Sequence, residues 1–180
     1  RAPVAPGKGL STGRTSAEHA REMGNDVPKI PTIFLKPSGA VIGDGAPIVR
    51  PVHMSALVHH EGELAVVIGR QMRAVAVRDA LSHVFGYTCG NDVTARDRQV
   101  RRTPEGMTWY ELGSGKAFDS GAPLGPCIVT ADEIADPPKP KVMSRINGQL
   151  RQSTRTANLT SWSADPPHLL SPPFPLRPRP

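Results

Sequence analysis

Residues 61–69 have the sequence Glu-Gly-Glu-Leu-Ala-Val-Val-Ile-Gly, and the fold prediction starts from this stretch. Alternate residues of a β-strand point to the same face, so Glu61 and Glu63 share one face at the start of an apolar strand. The run that begins at Leu64 is too apolar for an edge strand, which predicts a buried setting for both carboxylates. Like charges at this spacing repel each other and are costly to bury. A hard divalent cation removes both problems, and oxygen ligands favour Mg²⁺, Mn²⁺ or Ca²⁺ over zinc.

Asp92 is the predicted third ligand of this cation. It follows a second apolar run, residues 84–89, at the point where a loop begins. Lys116 adds a fixed positive charge to the same predicted site. The alternative is that Glu61 and Glu63 are solvated charges at the start of a strand, which is the more common case for an isolated Glu-x-Glu pair.

Four separated segments favour the metal site over the solvated pair of glutamates. They are Glu-Gly-Glu-Leu-Ala-Val-Val-Ile-Gly (61–69), Gly-Tyr-Thr-Cys-Gly-Asn-Asp-Val-Thr-Ala-Arg-Asp (86–97), Gly-Lys-Ala-Phe-Asp (115–119) and Pro-Leu-Gly-Pro (123–126). In this order and spacing they resemble the fumarylacetoacetate hydrolase family, from Gly13 to Thr160. The resemblance implies a partial mixed β-roll or barrel, a homodimer, and a divalent metal held by Glu61, Glu63 and Asp92.

His19 and Glu22 are three residues apart in residues 17–24, a predicted short helix, and therefore lie on one helix face. A histidine held by a carboxylate is a usable general base, although an exposed surface pair has the same spacing. The resemblance implies that this pair is the water-activating dyad. The sequence departs from the family just before it, because residues 13–16 are Gly-Arg-Thr-Ser where members have Gly-x-Asn-Tyr.

Three more residues have predicted roles at the site. Lys36 ends an apolar run and either places a cation in the substrate pocket or extends to solvent. The resemblance implies that Gln99 contacts substrate and that Lys116 stabilises an enolate or oxyanion. The polar segment 98–108 is predicted to be a loop that acts as a lid.

Short apolar segments separated by turns predict a mainly β fold with short helices, of the α+β class. Asn147-Gly148 is a strong signal for a type I′ hairpin turn. An apolar stripe predicts a helix over residues 75–84. The predicted strands cover 32–36, 57–68, 126–130, 141–146 and 149–153.

Composition sets the predicted domain boundaries. Residues 1–13 are rich in proline and glycine and are expected to form a disordered N-terminal segment. The resemblance implies that residues 14–160 form a partial catalytic domain. Residues 161–180 contain seven of the chain's 20 prolines and are expected to be a disordered tail.

The 180-residue chain has a formal net charge of +6. Its basic residues are scattered without aromatic interleaving, which disfavours nucleic acid as a partner and suits a small anionic substrate. No apolar run reaches the roughly 20 residues of a membrane helix, and no targeting signal is evident, so a cytoplasmic location without membrane attachment is expected. Cys89 and Cys127 are predicted to be buried thiols in a reducing compartment.

The resemblance implies metal-dependent hydrolysis of a C–C bond in a β-diketo acid of the fumarylacetoacetate or acylpyruvate type, as in aromatic compound catabolism. Mg²⁺ or Mn²⁺ is the expected cofactor, with Ca²⁺ as a further option. Decarboxylation, isomerisation or hydration of 2-oxo or 2-hydroxy-dienoic acids are alternatives, because the ligand types do not separate these outcomes. A non-catalytic binding or structural protein is the alternative from another class.

Overall fold

The computed structural model of this chain describes residues 1–13, 32–134, 140–156 and 176–178. Strands dominate these residues and the helices are short, which confirms the predicted α+β fold. The strands are β1 (Gly9–Gly13), β2 (Thr32–Lys36), β3 (Val41–Ile42), β4 (Val58–His59), β5 (Gly62–Ile68), β6 (Val84–Asn91), β7 (Thr94–Ala95), β8 (Val100–Arg102), β9 (Thr108–Tyr110), β10 (Ala122–Thr130), β11 (Lys141–Ile146) and β12 (Gln149–Arg155). The α-helices are α1 (Val77–Ala80), α2 (Arg96–Gln99) and α3 (Leu112–Lys116), and 3₁₀ turns occupy Ser38–Ala40 and Leu81–His83. No helix in these ranges is long and apolar enough to cross a membrane.

The largest sheet has four strands in the order β3-β10-β6-β5, and it carries two of the predicted metal ligands. β3 and β10 run parallel, with Val41 opposite Ala122. Glu63 lies in β5 and Asp92 directly follows β6, so two neighbouring strands bring these distant residues together. Among the described strands β5 is an edge strand, and all its residues are partly exposed. The prediction that its apolar sequence excludes an edge position is therefore wrong for the described sheet, because apolar composition does not fix the number of neighbouring strands.

The hairpin predicted from Asn147-Gly148 is confirmed. β11 and β12 pair antiparallel, with Ile146 opposite Gln149 across the turn. Asn147 has φ of 50° and Gly148 has φ of 78°, the left-handed values that a type I′ turn requires at both central positions.

Four local predictions need correction. The predicted strand 57–68 is split into β4 and β5, which pair with different strands, and Glu61 lies between them rather than in a strand. The predicted helix 75–84 is shorter, since α1 gives way to a 3₁₀ turn at Leu81. Only residues 103–107 of the predicted loop 98–108 form a connecting turn, because the residues before them complete α2 and form β8, which pairs with β9 so that Arg101 lies opposite Trp109. Cys89 and Cys127 are free and exposed, because they occupy uncovered positions of β6 and β10.

The chain divides into two compact units, and the described members of the predicted site lie in the first. The first comprises Arg1–Ser11, Phe34–Glu63 and Cys89–Cys127, and the second comprises Thr12–Ile33, Leu64–Thr88 and Ile128–Pro180. The first unit has a small hydrophobic core that contains Val93, Ala95 and Phe118. In the sequence Thr94 lies between Val93 and Ala95, and Lys116 precedes Phe118 by two residues, so the core adjoins residues of the site.

The predicted terminal segments are described only in part. Residues 9–13, at the end of the predicted N-terminal segment, form β1 and pair with β2. In the second unit, Met72 and Leu176 exchange two backbone hydrogen bonds, of 2.7 and 2.9 Å, and both side chains are buried. The remaining residues of the tail before 176, and the predicted helix 17–24, lie outside the described residues. The domain boundaries stay predictions.

Candidate metal centre

Glu61, Glu63 and Asp92 come together as the sequence predicts. One carboxylate oxygen of each lies within 4.8 Å of the others. The backbone fixes this arrangement, because the Asp92 amide donates to the Glu61 carbonyl at 2.9 Å. The Glu61 amide in turn donates to the Asn91 side chain at 3.0 Å. The start of β5 and the end of β6 are therefore held together at the carboxylates themselves.

Lys116, at the end of α3, lies inside this cluster. Its ammonium donates to Glu61 Oε2 at 3.0 Å, to Thr94 Oγ1 at 2.9 Å and to Asp92 Oδ2. It also lies 4.7 Å above the centre of the Phe34 ring. All three of its donors are thus engaged, and two of the three acceptors are predicted metal ligands.

Lys36, at the end of β2, reaches the opposite oxygen of Asp92. Its ammonium is 2.7 Å from Asp92 Oδ1, and the residue is 7% exposed. It donates to three backbone carbonyls as well, those of Lys116 at 2.6 Å, Gly121 at 2.8 Å and Val93 at 3.3 Å. Burial lowers the pKa of Lys36, and Asp92 opposes this shift. The alternative in which Lys36 extends to solvent is excluded, and its role in binding substrate stays a prediction.

Arg96, the first residue of α2, supplies a third cation. Its guanidinium is 2.5 Å from Glu61 Oε1 and donates to Gln99 Oε1 at 3.0 Å. Gln99 is thereby held one helical turn away from Arg96, beside the cluster. Its close approach to α3 depends on Gly115, where a Cβ atom would meet Gln99 backbone atoms at 3.0 Å. The substrate contact predicted for Gln99 stays a prediction, and the side-chain amide oxygen of Gln99 already accepts a hydrogen bond from Arg96.

The carboxylates differ in their electrostatic environment. Burial raises the pKa of Glu63 to about 8, with the negative charges of Asp92 and Glu61 acting in the same direction. Its described partner is the Ser11 hydroxyl, at 3.4 Å. Burial acts to raise the pKa of Glu61 too, but Lys116 and Arg96 outweigh it and hold that pKa below its usual value. The ionised form of Glu63 is therefore disfavoured, although Lys116 and Lys36 act in the opposite direction.

These features fit a hard divalent cation. Cis oxygens around Mg²⁺ are about 3 Å apart and trans oxygens about 4 Å, so a spread of up to 4.8 Å needs only a small contraction. A cation placed between the three carboxylates would also relieve the charge crowding at Glu63. Within the described ranges, no other group of three His, Cys, Asp or Glu side chains has this spacing.

Two residues of the centre were not predicted from the sequence. Thr94 lies in one of the four recognised segments without a role assigned to it, and the structure buries it completely between Lys116 and Glu61. Arg96 lies in the same segment, again with no role assigned to it. The signal for both was their position, two and four residues after Asp92. His19 and Glu22 lie outside the described residues, so their predicted role is not placed relative to the centre.

This chain is similar to known proteins in both sequence and structure. Residues 8–178 match the family model described as fumarylacetoacetate (FAA) hydrolase C-terminal. The mitochondrial oxaloacetate tautomerase FAHD2B of Bos taurus is 44% identical over 156 residues, which cover 86% of this chain and 48% of the relative. An uncharacterised protein of Pyrococcus horikoshii is 40% identical over 156 residues, or 87% of this chain and 66% of the relative. The chain thus spans about half to two thirds of the length of these relatives.

Two solved structures are similar over almost the whole chain. A 5-carboxymethyl-2-hydroxymuconate delta-isomerase from Mycobacterium smegmatis aligns with a TM-score of 0.82 and 40% identity, covering 98% of this chain and 66% of the other. A fumarylpyruvate hydrolase from Pseudomonas aeruginosa, solved with Mn²⁺ and pyruvate, aligns with a TM-score of 0.83 and 31% identity. That alignment covers 99% of this chain and 82% of the hydrolase.

Proposed function

This chain belongs to the fumarylacetoacetate hydrolase family, and we propose that it forms the metal-binding catalytic part of an enzyme that hydrolyses a C–C bond in a small β-diketo acid. The observation that carries the proposal is the convergence of Glu61, Glu63 and Asp92 around Lys116. Three carboxylates with oxygens within 4.8 Å suit Mg²⁺ or Mn²⁺, and a family member was solved with Mn²⁺.

The charges of the centre favour an anionic substrate. Glu61, Glu63 and Asp92 contribute three negative charges when ionised, and the nearby cations Lys36, Lys116 and Arg96 contribute three positive charges. A divalent cation would give the loaded site a net charge of about +2, which complements a dianionic oxo acid. Bound there, the metal would supply Lewis acidity to the 2-oxo and carboxylate oxygens of the substrate.

Lys116 is the residue proposed to stabilise the negative charge that develops as the C–C bond breaks. It is 3% exposed, so its ammonium acts in surroundings from which water is largely excluded. In the present arrangement its donors bind Glu61, Thr94 and Asp92. To bind an enolate oxygen it must release at least one of these partners. The His19–Glu22 pair is the proposed general base that activates water.

Keto–enol tautomerisation is a second candidate function. The bovine oxaloacetate tautomerase is 44% identical to this chain, whereas the fumarylpyruvate hydrolase is 31% identical. Moving a proton between carbon and oxygen uses the same carboxylates and Lys116, and it needs no attacking water.

We further propose a cytoplasmic homodimer, for which sedimentation should give twice the chain mass of 19.3 kDa.

Metal binding and turnover test the proposal separately. Mn²⁺ binding is followed by the loss of the free-ion EPR signal, with Glu63→Gln as the test variant and the exposed Glu133→Gln as its matched control. Glu63→Gln should weaken binding at least about tenfold, because even residues that only support metal ligands change affinity by about 10–100-fold. Glu133→Gln should bind as the wild type does. Equal affinity in both variants would refute the ligand assignment.

Turnover is then measured with an acylpyruvate and with oxaloacetate in the presence of Mg²⁺ or Mn²⁺. Release of pyruvate from the acylpyruvate supports C–C hydrolysis. Enol-to-keto conversion of oxaloacetate without acylpyruvate cleavage supports the tautomerase candidate. A chain that binds Mn²⁺ but turns over neither substrate would refute both activities for this chain.

A further inference from the structure

We propose that Thr94 is a positioning residue that gives Lys116 an uncharged partner and so leaves Glu61 and Asp92 available to a metal ion. This inference rests on the proposed metal-dependent function. It assigns a role to a side chain that is neither a ligand nor a proton-transfer group in that function.

Thr94 is held firmly in place. It lies in β7, where it stands opposite His59 of β4, two residues before Glu61. Its side chain is fully buried at 0% exposure. The hydroxyl lies 3.0 Å from Glu61 Oε1, 3.0 Å from the Asp92 carbonyl oxygen and 2.9 Å from Lys116 Nζ. One hydroxyl thus touches the two segments that carry the ligands and the cation between them.

The direction of these hydrogen bonds follows from a count of protons. The Lys116 ammonium has only donors, so the Thr94 hydroxyl must accept from it. The single hydroxyl proton is then donated to Glu61 Oε1 or to the Asp92 carbonyl. Thr94 therefore accepts a hydrogen bond from the Lys116 ammonium and donates one to Glu61 or to the Asp92 carbonyl. A side chain of the same shape without a hydroxyl can do neither.

Lys116 and a metal ion compete for the same oxygens. Two of the three Lys116 donors point to Glu61 Oε2 and Asp92 Oδ2, and the third points to Thr94. Without the Thr94 hydroxyl, the buried ammonium would have only the two carboxylates as described hydrogen-bond acceptors, beside its contact with the Phe34 ring. Because an unpaired buried donor is costly, Lys116 would bind Glu61 and Asp92 more tightly and resist their transfer to a metal.

Core packing alone does not explain a threonine at this position. Its neighbours Val93 and Ala95 are buried apolar residues, and valine has nearly the volume of threonine without its polar atom. The rival explanation is that the hydroxyl only donates a hydrogen bond to the Asp92 carbonyl two residues earlier and has no influence on metal binding. The two explanations differ in whether removal of the hydroxyl changes metal affinity.

The experiment compares Thr94→Val, which removes the hydroxyl at constant volume, with Thr94→Ser, which keeps it. Mn²⁺ affinity of the folded proteins is measured by EPR, and folding is checked by circular dichroism. Thr94→Val should weaken Mn²⁺ binding about 10–100-fold, the range found for residues that orient metal ligands, whereas Thr94→Ser should stay close to the wild type. If Thr94→Val does not fold, the pair Thr94→Ala and Thr94→Ser isolates the hydroxyl in the same way.

The Lys116→Met background separates positioning from a general structural effect. There the competing ammonium is gone, so Thr94→Val should no longer weaken Mn²⁺ binding. Wild-type affinity in Thr94→Val, or an equal loss in both backgrounds, overturns the inference. Failure of the wild type to bind Mn²⁺ is a different result, because it overturns the proposed metal-dependent function on which the inference rests.

Discussion

Replacement of Lys36 by methionine should destabilise the fold rather than act only on substrate binding. The Lys36 ammonium is the shared partner of Asp92 Oδ1 and three backbone carbonyls, which belong to Val93, Lys116 and Gly121. It joins the end of β2 to the segment after β6, to the end of α3 and to the turn before β10. Methionine keeps much of the apolar stem but provides no donor for these acceptors.

The magnitude follows from the burial of the ion pair. The side chains of Lys36 and Asp92 are 8% and 2% exposed, so water does not readily replace the lost partner. Removal of one member of a buried ion pair costs about 3–5 kcal/mol, out of a typical total stability of about 5–15 kcal/mol. Lys116 still binds Asp92 in the variant, which favours the lower end, about 3 kcal/mol. For a chain of this size each kcal/mol lowers Tm by about 2–4 °C, so a drop of roughly 6–12 °C is expected.

Urea unfolding followed by circular dichroism provides the measurement. Lys141→Met is the matched control, because Lys141 is exposed in β11, and its effect should stay within about 0.5 kcal/mol. A Lys36→Met variant as stable as Lys141→Met would refute this reasoning. If such a variant also showed a raised KM with unchanged kcat, the role predicted from the sequence, direct substrate binding by Lys36, would be supported instead.

Three further predictions address the centre and its surroundings. Mn²⁺ at about 100 times its Kd should raise the unfolding free energy by about 2.7 kcal/mol in the wild type and much less in Glu63→Gln at the same concentration, as thermal unfolding with and without Mn²⁺ will show. Lys116→Met should bind Mn²⁺ at least as tightly as the wild type, because the competing ammonium is gone, while kcat falls by about 10²–10³-fold; EPR titration and turnover assays measure the two effects. Asp97→Asn should lower stability at neutral pH, because the Ser55 hydroxyl and then the Ala56 amide hold the pKa of the Asp97 carboxyl below its usual value. This stabilisation is present above the unfolded-state pKa and is lost as the pH falls through the lower folded-state pKa. Urea unfolding curves should therefore differ between the variant and the wild type at about pH 7 and coincide at about pH 2–3.

The sequence predicts the three carboxylates from their positions beside two apolar runs, while the pairing of β5 with β6 brings them together. Glu61 immediately precedes β5 and Glu63 is its second residue, so one short stretch supplies both, and Asp92 follows directly after a second apolar strand. Asn147-Gly148 predicts the β11–β12 hairpin because its left-handed backbone is a property of the two turn residues themselves.

Features that depend on tertiary neighbours were not predicted. The segment 98–108 is polar, which is typical of a loop, yet its residues pair across the β8–β9 hairpin, where Arg101 also binds Glu111 at 2.5 Å. Cys89 lies in an apolar stretch, but its exposure depends on which strands cover β6. Neither outcome follows from the local pattern, because both depend on what packs against it.

The counter-charges of the metal centre have the same origin. Lys116 is 55 residues from Glu61 in sequence, and the Lys36 ammonium donates to a carbonyl 80 residues away. Spacing along the chain therefore predicts a set of like charges that need a cation, while the fold supplies cations of its own at Lys36, Arg96 and Lys116. A divalent ion must exchange with these internal partners rather than enter an uncompensated acidic site. The role proposed for Thr94 follows from this competition, because its hydroxyl accepts one Lys116 donor that would otherwise need a carboxylate oxygen.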